Sequence, residues 1–400
     1  MARGKQTQLS KRAGAEKTAE LPLDRGPAAR VDLFFTHQDR LAHVDDPIWQ
    51  DVSALAVTGR SIFCTCDETS TIERVSFDPK TGKAGEHTHF VLGETFDLPE
   101  GPGGEMDIEG LAVADGYLWI CGSHSLKRDK PEDDGLKDME DIDWDANRGF
   151  LGKVPLLDRG DGVFDLVAAI EPLDGAPARA ARMVPMRKSR KTPIRKMLAK
   201  DKLIGPFMDH PCKENGFDIE GLAVTGNTVL LGLRGPVVGG YAMIVRMEMK
   251  DAKNGFLKPR KLDGGKRYVL QAIDLNGQGI RDMHWQDGRL LILSGATTDL
   301  EALQSVFAIE DYDPERNIYE DDALARVLDL PAIRGSDHAE GIAPIEIDGV
   351  TKLVVAYDSP HEDRTDAKTQ RLTTDMFDLA SARSGSPKRR APGGKGRAGR

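Results

Sequence analysis

Long apolar runs are what this chain most plainly lacks. No stretch approaches the roughly 20 apolar residues of a membrane-spanning helix, so the sequence offers no such span. Cysteine is scarce as well, with only Cys64, Cys66, Cys121 and Cys212 among 400 residues. Cys64 and Cys66 stand two apart in a strand-like run and so share a face. No second close pair completes a zinc ligand set. Buried free thiols in a reducing compartment are expected, and residues 1–30 contain no apolar signal core; together these predict a cytoplasmic protein. Positive charge is not in excess: 55 Lys and Arg against 65 Asp and Glu give a net charge of -10. Nonspecific nucleic-acid binding by the whole body is therefore disfavoured. There is no P-loop, no G-x-G-x-x-G after a strand, no G-x-S-x-G and no H-E-x-x-H.

What is present is turn chemistry and a repeat. The 42 glycines and 22 prolines suit a many-stranded β protein. Phe217 to Pro236 reads F-D-I-E-G-L-A-V-T-G-N-T-V-L-L-G-L-R-G-P, two apolar runs about a Gly226-Asn227 turn. That is a hairpin in sequence form. Echoes start at Val52, Met106, Gly279 and Asp337, and aligning on Leu55, Leu111, Leu222, Met283 and Ile342 spaces them 56, 111, 61 and 59 residues apart. Two further strand candidates follow each of the first four hairpins. A four-stranded unit at a near-fixed period is the signature of a β-propeller.

The fold predicted is all-β, a β-propeller of five four-stranded blades, with six possible if the 111-residue gap holds two. We count one there, because two inserts account for its excess: an acidic one at 126–147 and a basic one at 187–202. The basic segment reads as a solvated surface excursion, helical after Pro193. The last unit lacks a fourth strand, and Val31–Phe35 is a strand without a blade. Pairing it with the strand near Arg371 to Leu379 would close the ring and remove two exposed edges. The domain is expected over 30–380, between a disordered segment 1–29 and a disordered basic tail 381–400.

D-I-E-G-L-A at 107–112 and 218–223, G-S-H-S at 122–125, L-R-G-P at 233–236 and A-E-G-I-A…Y-D-S-P in the last unit resemble a bacterial family. It is catalogued as domain of unknown function 3616, and the likeness covers most of residues 30 to 380. It implies a β-propeller and almost nothing about reaction. The E-G-L-A hairpin is also similar to propellers described as phytase-like with esterase-like activity. No catalytic residue is carried over from either.

If the hairpins are inner strands, their charged ends converge on one mouth of the central channel. That would gather Asp67, Asp107, Glu109, His124, Asp218, Glu220, Arg234, Arg281, Asp282, His338, Glu340 and Asp358. Glu109, Glu220 and Glu340 share a register position and are the candidate metal ligands; hard oxygen donors suit Ca or Mg. Arg234 and Arg281 suit an anionic group. The function predicted is binding of a small anionic ligand, a divalent cation or both. The alternatives are a metal-assisted phosphoester or ester hydrolase and a noncatalytic propeller that binds a protein partner. The stretch Asp141 to Gly152 begins like a calcium loop, but Ala146 stands where that loop needs glycine and Gly152 where it needs glutamate.

Overall fold

Strands rich in β-branched and aliphatic residues, each bounded by a tight turn, arrange into five small sheets in a ring. The computed structural model describes residues 26–379 except 37–43, 45–46, 132–134, 173–174, 176, 299 and 332. The expected disordered ends, apart from residues 26–29, lie outside the described residues.

Blade one is Ala54–Thr58, Ser61–Thr65, Thr71–Phe77 and Ala84–Val91. Blade two is Ile108–Ala114, Tyr117–Gly122, Leu151–Asp158 and Phe164–Leu166. Blade three is Asp218–Thr225, Thr228–Gly235, Ala242–Asp251 and Val269–Ile273. Blade four is Gly279–Gln286, Arg289–Gly295, Ser305–Ile309 and Ala325–Asp329. Blade five is His338–Ile347, Val350–Asp358 and Arg371–Asp378, completed by Ala29–Phe34 from the other end of the chain. That last pairing is antiparallel, running from Ala29 opposite Met376 to Phe34 opposite Arg371. The predicted closure is present, and the 111-residue gap holds one blade.

The inner strands touch one another in sequence, blade five against blade one. Each strand is therefore covered on both faces, and alternate side chains serve opposite neighbours. Leu55 packs with Ala343 and Ile345 of blade five, while Ala54 and Ala56 pack with Ile108 and Leu111 of blade two. The apolar side chains form five wedges, one at each blade-to-blade interface. This is why the inner strands read as unbroken apolar runs rather than as alternation.

The two inserts meet. The Arg195 guanidinium of the second lies over the Trp144 ring of the first, 5.4 Å from its centroid. Within the basic segment, Thr192 caps a short helix, Pro193–Leu198, by accepting from the Arg195 N–H. Ile194 and Leu198, one helical turn apart, are fully buried between blades two and three. Arg195 is buried too, donating to the carbonyls of His124 and Met208 beneath Trp144 and Phe217. The segment is thus no mere solvated excursion. Its lysines 188, 191, 196, 200 and 202 are exposed, as predicted, but its apolar stripe belongs to the core. The charge run masked two apolar residues at helical spacing. No helix among the described residues is long and apolar enough to cross a membrane.

Candidate functional site

Two residues before each aligned apolar anchor stand Ser53, Glu109, Glu220, Arg281 and Glu340. In blades two to five the pairing of the inner strand slips at this point, between Ile108 and Gly110, Ile219 and Gly221, Ile280 and Asp282, and Ala339 and Gly341. The residue left over in each case is Glu109, Glu220, Arg281 or Glu340. A bulge of this kind frees one side chain from the sheet pattern and re-aims it. The glycine that follows lets the neighbouring blade pass close. A Cβ at Gly110 would lie 2.6 Å from Leu222, and one at Gly341 would lie 2.9 Å from Leu55. The repeated Glu-Gly is therefore a bulge that aims a carboxylate next to a residue that admits the next blade.

Around this ring the charges divide. On the side of blades three and four the cations are occupied. Arg234 pairs with Asp218 and Glu220, each at 2.7 Å. Arg281 reaches Glu220 at 3.1 Å and Glu340 at 2.6 Å through the same nitrogen, Nη1. On blade two, Arg148 lies 3.1 Å from Asp107.

The other side is anionic. Ligand oxygens of Asp67, Glu109 and Glu340, from blades one, two and five, lie within 4.8 Å of one another. Glu109 is 7% exposed, and among the described residues its carboxylate makes no hydrogen bond or ion pair. Asp67 Oδ1 is buried without a hydrogen-bond partner. Burial raises the Asp67 carboxyl well above its usual range, and the charges of Asp51, Asp107, Glu340 and Asp358 add to the effect. Glu109 is raised likewise, by burial and then by Asp67 and Glu220. Burial pushes Glu340 up to about 7 against the pull of Arg281. Two buried carboxylates and a third with one buried oxygen, with too little positive charge beside them, are poorly stable as anions until a cation joins them.

The predicted site residues fare unequally. Asp107, Glu109, Asp218, Glu220, Arg234, Arg281, Glu340 and Asp358 belong to one charged ring. Most are buried, Glu220 at 1% and Glu340 at 8% exposed, whereas Arg281 and Asp358 are half-buried. His338 sits at the rim with Nδ1 3.9 Å from Asp358. Glu220 is not grouped with Glu109 and Glu340; two guanidiniums engage it, and Asp67 takes the third place. Asp282 is no ligand. Its two oxygens accept the backbone N–H groups of Met283 and Ile342, at 2.7 and 2.8 Å, and stitch blade four to blade five. His124 is fully buried and donates from Nε2 to the Phe150 carbonyl at 3.2 Å, and no described contact joins it to the carboxylates.

Two members were not foreseen. Asp51 lies four residues before Leu55, as Asp107 does before Leu111 and Asp218 before Leu222, so the register carried the signal. Arg148 comes from the end of the acidic insert, where no repeat position marks it.

The family described as Protein of unknown function (DUF3616) matches residues 51–375. No curated protein matches the chain. Among solved structures, Myxococcus xanthus glutaminyl cyclase is similar at 11% identity, covering 89% of this chain and 100% of that one, with a TM-score of 0.36. The hemopexin fold protein CP4 from cow pea is similar at 10% identity, covering 70% of this chain and 92% of that one, with a TM-score of 0.29.

Proposed function

The chain belongs to that family of unknown function, and we propose that its propeller binds a divalent cation of the Ca²⁺ or Mg²⁺ kind through Asp67, Glu109 and Glu340. One observation carries this: Glu109 is almost wholly buried, carries no partner among the described residues and is aimed at two further carboxylates. A buried carboxylate left unpaired costs several kcal/mol, roughly the scale of an effective ion desolvation penalty. A hard cation removes that cost, and oxygen donors alone are what Ca²⁺ and Mg²⁺ select. The three ligands come from the consecutive blades five, one and two, so the ion would also tie the first blade to its two neighbours.

Calorimetry of metal-stripped protein with Ca²⁺ and with Mg²⁺ tests the proposal. Saturable binding near one equivalent is expected, and Glu109→Gln should abolish it. Absence of binding to either ion rejects the site.

A second reading, metal-assisted ester hydrolysis, draws on the ligand count. Three carboxylates leave positions open on an ion that takes six to eight oxygens, about the usual range for calcium. Turnover of a phosphoester and lactone panel that requires Ca²⁺ and is lost in Glu109→Gln would establish it.

A further inference from the structure

The two inserts carry opposite charge and adjoin on the surface. In the basic one, Arg190 pairs with Asp209 at 3.6 Å. Arg187, Lys188, Lys191, Lys196, Lys200 and Lys202 are all exposed, and none of them makes an ion pair among the described residues. The platform beneath them is rigid, because Ile194, Arg195 and Leu198 pin its helix between blades two and three. Leu203, just beyond it, is 46% exposed. On a chain of net charge -10, this is a local reversal of sign.

The acidic insert is a small hairpin in which Lys127–Arg128 runs antiparallel to Ile142–Asp143. It turns Leu136, Met139 and Ile142 outward at 81%, 36% and 37% exposure. Glu140, Asp141 and Asp143 are exposed among them. Apolar side chains ringed by charge mark an interaction surface rather than a piece of core. The hairpin is fastened beside the basic platform. Trp144 at its foot stacks with Arg195, and Arg128 Nη2 donates to Glu214 at 3.1 Å, on the turn that follows the platform.

We propose that the two patches form one self-complementary interface, through which a second copy of this chain docks about a two-fold axis. The acidic hairpin of each copy lies on the basic platform of the other. A two-fold axis between adjoining patches of opposite sign exchanges them, so both contacts form together. Leu136, Met139 and Ile142 supply the apolar centre, and the charges fix register and partner. A nucleic acid or an anionic membrane fits this face less well. A polyanion laid on the lysines would meet Glu140, Asp141 and Asp143 alongside them. A contact this charged and modest in size is expected to be of about micromolar strength, so the monomer prevails on dilution. The interface lies outside the carboxylate ring and does not depend on the cation.

Sedimentation velocity of the full chain, across protein and salt concentrations, tests the proposal. A concentration-dependent dimer is expected at about 0.05 M salt, weakened about tenfold at about 0.5 M, where screening shortens the reach of charge. Two charge-reversed forms decide the geometry. One carries Arg187→Glu, Lys196→Glu and Lys202→Glu; the other carries Glu140→Lys, Asp141→Lys and Asp143→Lys. Each alone should be monomeric, since like charges then face each other in both contacts. Mixed in equal amounts they should dimerise again, because every reversed patch meets its opposite. Leu136→Ser leaves charge untouched at a side chain too exposed to serve the fold, and should weaken the dimer about tenfold. If a reversed form does not fold, Leu136→Ser decides alone. A parent that stays monomeric, reversed forms that still dimerise, or a mixture that does not, overturns the proposal. Duplex DNA or anionic vesicles bound by a monomeric parent would assign the platform to a polyanion and overturn it too.

Discussion

Arg281 and Glu340 lie 2.6 Å apart on the bulges of neighbouring blades, at the same register position of the repeat. A single substitution in the repeat, arginine where other blades carry glutamate or serine, therefore converts a ring of like charges into a graded one. Blades three and four are neutralised from within. Blades one, two and five are left with a carboxylate surplus, and the candidate cation site follows from that asymmetry rather than from any one residue.

Glu109 is the member of that surplus with nothing to hold its charge. Glu109→Gln keeps the shape and removes the charge, so without divalent ions the variant should be more stable than the parent at pH 8, where burial makes the ionised carboxylate costly. With Ca²⁺ the order should reverse, since only the parent gains from the ion. Urea unfolding in both conditions checks this. A variant less stable than the parent without added ion would show Glu109 to be serving the fold.

Glu220 should behave oppositely, because it is held between Arg234 and Arg281. Removing its charge leaves two buried guanidiniums with one carboxylate fewer, at a cost of roughly 3 kcal/mol, typical of breaking a buried pair. Glu220→Gln is expected to show this loss in urea unfolding and to retain saturable Ca²⁺ binding by calorimetry. A Ca²⁺ response abolished with stability intact would place Glu220 among the ligands after all.

Ring closure depends on few residues. Val31, Leu33 and Phe35 are buried between blades five and one, and Ala29–Phe34 covers the edge of Arg371–Asp378. Removing residues 1–36 should lower the thermal midpoint by well over 10 °C, since an edge is exposed and a wedge of core is lost together. An unchanged melt would mean that the ring holds without its last strand.

The blade count and the closing strand were legible because each hairpin carries its own turn, and the anchors Leu55 to Ile342 keep register. The Glu-Gly pairs were legible as a repeated position, but not as bulges, because pairing slips leave no mark in one strand alone. Which carboxylates remain uncompensated could not be read, since that depends on Arg234 and Arg281 reaching across blade boundaries. Asp282 misled for the same reason: its partners are backbone groups, one of them in the next blade. The helix at Pro193–Leu198 was legible from Pro193 onward, but its burial was obscured by the surrounding lysines and arginines, though Ile194 and Leu198 are spaced to share a face.

That helix yields a further prediction. Ile194 and Leu198 are fully buried, so Leu198→Ala should cost about 2–4 kcal/mol, as core truncations do. Exchanging the exposed Lys188, Lys191 and Lys200 for glutamine should cost under 0.5 kcal/mol in total, roughly the scale of surface changes. Chemical denaturation of the two variants separates the helix's two faces. Equal effects would mean that the segment packs less tightly than its burial implies.

His124 predicts an acid sensitivity with a definite sign. Burial first, and then the Arg195 guanidinium, depress its pKa to about 3, while Nδ1 is buried with no acceptor for a second proton. Below about 6.5, the ordinary histidine value, the unfolded chain takes up a proton that the folded chain refuses. The stability this group contributes is therefore complete above that pH and is lost as the pH falls toward the folded-state value. The loss is about 1.4 kcal/mol per pH unit, hence about 2 kcal/mol at pH 5. The mouth carboxylates act in the same window with the opposite sign, so a comparison is needed in which they cancel. His124→Asn provides one, because asparagine tolerates the left-handed backbone at this position, φ 54°. The variant will be the less stable protein at pH 7. The stability gap between parent and variant should narrow by about 2 kcal/mol on going to pH 5. A gap that stays constant from pH 7 to pH 5 would show that His124 takes up its proton in the folded protein as readily as in the unfolded chain.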